Sequence, residues 1–165
     1  NDGELFLYPP PARPHAHAAS VLGMLIGAPF RLGHGGPGGW WIQDEPELHL
    51  GGDVLVPDLA GWRRERMPEI DVQQTFYAEA PQWVCEVLSP STMGVDRVKK
   101  LPKYGAAGVE HAWLVEPVAR TLEVFRLEGG RWSLVFTHYG PGEVRAEPFE
   151  AVDLDLGELW LQPEA

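Results

Sequence analysis

The run Trp83-Val84-Cys85-Glu86-Val87-Leu88 is the strongest constraint on how this chain folds. It is short, apolar and rich in β-formers, and Ser89-Pro90-Ser91-Thr92 breaks it. The pattern predicts a strand over 82–88 that is buried on both faces. Glu86 then lies inside a run that should be dry. A buried charge is costly unless it is paired or holds a metal. A second carboxylate, Asp58, ends the apolar run before it, directly after Val56-Pro57. Period-two geometry puts Val54, Val56 and Asp58 on one side, and Val84, Glu86 and Leu88 together on another. At ~4 Å apart, the two carboxylates would repel by about 4 kcal/mol at an effective dielectric near 20. Either one keeps its proton or a cation sits between them. Hard oxygen donors favour Mg²⁺ or Mn²⁺ over Zn²⁺.

The rest of the composition fits one globular domain over residues 1–165. The hydrophobic fraction is 44% and there are seven Trp, enough apolar surface to exclude disorder. The single Cys85 excludes an internal disulfide and fits a reducing, cytoplasmic setting. No apolar run approaches membrane-spanning length, and no secretory leader is visible. The chain opens at Asn1 rather than Met, which leaves a trimmed start open. A net charge of −11 argues against coating nucleic acid by bulk electrostatics. Local basic strips remain, one at Arg63, Arg64 and Arg66, another at Arg97, Lys99, Lys100 and Lys103. Each reads equally as a contact surface or as a solvated face.

Along the chain, residues 4–8 read as a short strand stopped by the prolines at 9–11. Apolar spacing predicts a helix from His15 to Ile26, ending before Pro29. The glycine-rich stretch 33–39 lacks the context of a phosphate loop and reads as a flexible connection. Residues 40–50 and 53–59 read as a hairpin turning at Gly51-Gly52, and 62–72 as a loop. A helix is expected over 96–107, with Asp96 as N-cap and Gly108 as a left-handed stop. Pro102 within it predicts a kink or a second start. Strands are expected at 112–117, 121–127 and 131–138, the last two joined by Glu128-Gly129-Gly130, with a short helix near 155–161. This order gives an α/β (α+β) fold, a mixed sheet flanked by helices with additional β-hairpins.

If Asp96 caps the second helix, Lys100 lies one turn in, and Lys103 is near the same face. Either could reach back to Glu86, orient an attacking water and offset phosphate charge. Glu45 and Glu47 share a face of the strand expected before Asp58, either as a further ligand or as solvated acids. Asp96 is a cap, or else a metal ligand or a group that orients the lysine. His15 and His17 diverge by about 200° on a helix, which disfavours a metal pair, and they read as capping or surface residues. Ser89 and Ser91 have no general-base His nearby in sequence and read as capping residues. Trp113 and Cys85 read as core.

Several motifs occur together in a specific order. They are the three prolines before His15, Val56-Pro57-Asp58, the run from Glu86 to Thr92, Asp96 followed by Lys100, and the stretch from Tyr104-Gly105 to Glu116-Pro117. In this order the chain resembles the Uma2 family, long called DUF820, of restriction-endonuclease-like proteins. The resemblance covers nearly the whole chain. It implies a PD-(D/E)xK nuclease core, in which an Asp, a Glu and a Lys surround one or two divalent metals. It also implies that the carbonyl of Val87, the residue after the acid, is a metal ligand. That pattern asks for Lys two positions after the Glu, where this chain has Leu88. The family supplies the Lys from the next helix, which makes Lys100 the candidate and Lys103 the reserve.

The expected function is metal-dependent hydrolysis of DNA phosphodiesters. Asp58, Glu86 and Lys100 would be catalytic, with Arg63, Arg64, Arg66 and Lys99 contacting nucleic acid. The fold class also raises a homodimer that cuts both strands. The alternative is a non-catalytic protein- or nucleic-acid-interaction module on a degenerate nuclease fold, with Glu86–Lys100 as a structural ion pair.

Overall fold

The computed structural model describes residues 12–161, so the strand expected at 4–8 and its proline stop lie outside the described residues. A helix, α1 (Arg13–Ile26), opens the described chain with proline in its first turn. Six strands form the main sheet, in the order β1-β4-β5-β6-β7-β8. They are β1 (Trp40–Asp44), β4 (Leu59–Arg63), β5 (Trp83–Val87), β6 (His111–Glu116), β7 (Thr121–Glu128) and β8 (Arg131–Tyr139). Only β5 and β6 run parallel; the other neighbours are antiparallel. Two small hairpins stand apart, β2 (Leu48–Leu50) with β3 (Asp53–Leu55), and β9 (Glu143–Val144) with β10 (Leu154–Asp155). Among the described residues no helix is long and apolar enough to cross a membrane.

The sheet is covered on both faces, and β5 is buried at every position. Trp83, Cys85 and Val87 face one cluster with Ala18, Leu22 and Ile26 of α1. Phe149 is at the centre of that cluster, with its ring 4.7 Å from Phe30, 5.0 Å from Trp40, 4.9 Å from Trp83 and 5.7 Å from Trp113. Val84 and Leu88 face the opposite cluster, with Leu101, Tyr104 and Leu114. Trp113 and Cys85 are core, as their sequence setting predicts. Glu86 projects into the second cluster's side as its buried carboxylate.

Several boundaries differ from the sequence expectation, each for a local reason. The first helix does not stop before Pro29. It widens into a π turn over Gly27–Arg31, where Leu32 N–H reaches the Gly27 carbonyl at 3.0 Å. That longer bond spans Pro29, so its missing donor does not end the helix. The glycine-rich stretch is a packed return rather than a loose connection. Gly38 N–H bonds the Pro29 carbonyl at 2.9 Å, and a Cβ at Gly36 would come within 2.4 Å of Pro29 Cβ.

The single long hairpin is in fact two pairings. Glu45 takes a left-handed φ of 48° and Pro46 follows, so β1 ends at Asp44. The chain then makes the β2–β3 hairpin at Gly51-Gly52, as expected for that turn, and rejoins the sheet as β4 after Pro57. Asp58 therefore precedes β4 instead of ending a row with Val54 and Val56, both of which are exposed. The loop expected over 62–72 begins only after Arg63.

The second helical region starts earlier than Asp96. Ser89 N–H bonds Thr92 Oγ1 at 3.2 Å and Met93 N–H bonds the Ser89 carbonyl at 3.0 Å, closing a turn that starts α2 (Met93–Val95). A π turn, Asp96–Lys100, leads into α3 (Leu101–Ala106), whose first turn holds Pro102 as a second start. Gly108 follows at φ 83°, the left-handed stop. The terminal helix is a single 3-10 turn, Leu156–Leu159.

Gly61 shows how tightly the sheet centre is packed. It pairs with Ile42 on β1 and Trp83 on β5. An added Cβ would lie 3.1 Å from Ile42 Cδ1 and Trp40 Cε3, and 3.2 Å from Trp83 Cε3. Gly61→Ala is expected to cost about 1–3 kcal/mol, read as a lower urea midpoint at unchanged m-value. A wild-type midpoint would show that the indoles move aside freely.

Candidate active site at the carboxyl end of the central strand

Glu86 is 3% exposed, and two groups converge on it. The Tyr104 hydroxyl donates to Oε1 at 2.6 Å. Lys100 Nζ lies 3.3 Å from Oε1 and 3.4 Å from Oε2. The same ammonium is 3.4 Å from Asp96 Oδ1 and 3.4 Å from the Val56 carbonyl. Asp96, Lys100 and Tyr104 recur every four residues, so one helical stripe delivers all three toward β5.

Asp58 reaches the same strand end from β4. Its Oδ2 accepts the Val87 amide at 2.7 Å, which fixes the carboxylate beside the residue that follows Glu86. Its other oxygen, Oδ1, lies 3.5 Å from His15 Nε2 in the first turns of α1. Asp44, Glu45, Asp58 and His15 border one cleft of about 230 Å³.

The electrostatics follow from burial. Burial pushes Glu86 up to about 8, against the pull of Lys100 and the Tyr104 hydroxyl toward the charged form. Asp96 is raised by the same desolvation, again opposed by Lys100. Burial works against the Lys100 ammonium, but the carboxylates of Glu86 and Asp96 outweigh it and hold the lysine above its ordinary value. The Asp58 carboxylate raises His15 despite the ring's partial burial, with help from the Val87 backbone.

The structure thus brings together Asp58, Glu86, Val87, Asp96 and Lys100. Other expected site residues lie elsewhere. Lys103 turns away to pair with Asp53 at 2.8 Å. Neither Glu45 nor Glu47 is in a strand; Glu45 borders the cleft, and Glu47 bonds His49 at the surface at 2.8 Å. Arg63, Arg64 and Arg66 are at the far end of β4 from Asp58. There Arg63 lies over the Trp40 ring at 4.4 Å and Arg64 over Trp41 at 4.1 Å, while Arg66 pairs with Glu110 at 3.1 Å. Lys99 is exposed on the π turn that carries Lys100. Leu88, where a strand-borne lysine would stand, is 1% exposed core.

Two members were not found from sequence. Tyr104 carried a readable signal, since it continues the Asp96–Lys100 spacing by one more step of four. His15, expected as a capping or surface residue, is half-buried against Asp58, and nothing in the sequence tied the two together; His17 points elsewhere, its Nε2 meeting the Glu158 carbonyl at 2.9 Å. Among the described residues, no three His, Cys, Asp or Glu side chains gather into a metal cage.

Glu86 makes stability depend on pH in a definite direction. Its ordinary value is about 4.5 and its folded value about 8, so the folded state binds the extra proton between them. Wild-type stability should therefore fall, relative to Glu86→Gln, as pH rises from 5 to 8, and level off above that. The accumulated difference should be of order a few kcal/mol, measured by urea unfolding of both proteins across the range. Parallel profiles would show that Glu86 is already ionised when folded.

A solved structure described as a putative nuclease belonging to DUF820, from Anabaena variabilis ATCC 29413, superposes with a TM-score of 0.72. It is 20% identical, covering 96% of this chain and 87% of its own, and at that identity it establishes the fold. No curated protein matches the chain. The family model for Uma2, described as "Putative restriction endonuclease", matches residues 1–157. With nearly the whole chain matched, this protein belongs to the Uma2 family.

Proposed function

We propose that this protein is a metal-dependent endonuclease that hydrolyses DNA phosphodiesters, with Asp58, Glu86 and Lys100 as its catalytic residues. The observation that carries this reading is the meeting of Asp58, buried Glu86 and the Lys100 ammonium at one strand end. The donors fit a hydrated Mg²⁺ or Mn²⁺. They are oxygens, from Asp58, Glu86 and the Val87 carbonyl, and such ions take one or two carboxylates and leave the remaining positions to water and phosphate. A bound ion would supply Lewis acidity at the phosphate and a more acidic water.

The chain's own residues have separate tasks. The Val87 amide holds Asp58 so that Oδ1 stays available. Tyr104 fixes the Glu86 carboxylate from its buried side. Lys100, held by Asp96, would release Glu86 to the ion and turn its positive charge to the attacking water and the phosphate. Lys99 adjoins this position. Arg63, Arg64 and Arg66 would be reached only by a duplex running along β4, about 17 Å or five base pairs from the site.

The rival reading is an interaction module in which Glu86–Lys100 is only a structural pair. The ammonium's position between two buried carboxylates is what favours it.

The two readings separate experimentally. With Mg²⁺ or Mn²⁺ and plasmid or oligonucleotide DNA, Asp58→Ala, Glu86→Ala and Lys100→Met should each lower cleavage by about 10²-fold or more. Unfolding midpoints for Glu86→Ala should match or exceed wild type. Full cleavage by Asp58→Ala or Glu86→Ala overturns the assignment. An inactive wild type together with a strongly destabilised Glu86→Ala favours the module.

A further inference from the structure

The loose contact between His15 and Asp58 carries a further assignment, which rests on the metal-dependent reading above. An imidazole that merely paired with a carboxylate would close to about 2.7–2.9 Å. Here Nε2 stands 3.5 Å from Asp58 Oδ1, while Asp58 spends its short bond on the Val87 amide. Two neighbouring ligands on one ion, each bonded at about 2.1 Å, stand about 3.0–3.5 Å apart. The Val87 backbone also helps to raise the ring's pKa, and its carbonyl is the other expected ligand beside Asp58. A cation reaching both oxygens would meet Nε2.

We infer that His15 is a nitrogen ligand of the same metal, completing a set of Asp58 Oδ1, the Val87 carbonyl and His15 Nε2 on the α1 side. Glu86 closes the set from the α3 side, and water and phosphate fill the remaining positions. Glu86 joins only when Lys100 releases it, which is why no three of these side chains gather among the described residues. The placement also separates the two histidines of α1. His15 is 19% exposed and faces Asp58, whereas His17 is turned to the Glu158 carbonyl.

An imidazole donor changes which ion is held best. Imidazole nitrogen is a softer donor than a carboxylate, and Mn²⁺ accepts it more readily than the hard, strongly hydrated Mg²⁺. Wild type should bind Mn²⁺ about tenfold or more tighter than Mg²⁺. His15→Ala should lose most of that preference, and His17→Ala should keep it.

Mn²⁺ alone, titrated calorimetrically into wild type, His15→Ala, His15→Asn and His17→Ala, gives the affinities. Pulsed electron paramagnetic resonance of the bound Mn²⁺ gives a direct readout of ¹⁴N coupling. Coupling present in wild type and His17→Ala, and lost in both His15 variants, supports the assignment. Bound Mn²⁺ without ¹⁴N coupling in wild type, or coupling that survives in His15→Ala, overturns it and leaves the Asp58–Glu86 metal site standing. Absence of Mn²⁺ binding to wild type, both alone and with a phosphorothioate oligonucleotide, overturns the assignment and the metal-dependent reading together. Circular dichroism of each variant separates loss of the ligand from loss of the fold.

Discussion

A carboxylate in the middle of a doubly covered strand is the constraint to which the surrounding structure answers. β5 offers Glu86 no water, so its charge has to be met by side chains brought from elsewhere. The Asp96–Lys100–Tyr104 stripe is the answer from one direction. It supplies one positive charge, one hydroxyl donor and a second acid that keeps the lysine in place. Removing Lys100 would leave Glu86 and Asp96 without their cation, so polar contacts tie the helical region to the strand alongside the apolar ones.

The two faces of the sheet divide the remaining work. Around Phe149, Trp40, Trp83 and Trp113 pack ring against ring and hold β5 to its neighbours. This rigid face anchors the strand, and the other face carries the polar group. Asp58 joins the two neighbouring strands at their shared end by taking the Val87 amide. That bond requires the chain to leave the sheet at Glu45, turn through β2 and β3, and come back just before β4. The excursion is what sets Asp58 at the rim.

Much of this was legible in the sequence, and the rest was hidden for physical reasons. A charged residue in an apolar run stands out locally, so Glu86 could be read directly; helical spacing left Lys100 and Lys103 both open, and the family resemblance favoured Lys100. Strand existence was equally local for β5 to β8. The early hairpin misled because alternation over 40–50 and 53–59 continues through Pro46 and Pro57, and only long-range pairing shows which segments remain in the sheet. The arginines at 63, 64 and 66 looked like a contact strip because sequence shows charge but not the indole faces and carboxylate that engage it. His15 met Asp58 only through tertiary packing of α1 on the sheet. The π turns arise where proline removes a donor or where two helical segments join end to end, and periodicity counted at 3.6 residues passes over both.

The separation of Lys100 from β5 has a consequence for how such a chain can diverge. Where acid and lysine share one strand, a single short segment must satisfy both the core and the chemistry. Here Leu88 answers only to packing, and the positive charge comes from Lys100 on a separate helical region. Position 88 can then vary with the hydrophobic interior while the lysine keeps its place on the helix, although Tyr104 serves both. A pattern written along the strand would miss the pair, whereas an ammonium within hydrogen-bonding reach of a strand-borne carboxylate, wherever it comes from, remains a recognisable signature.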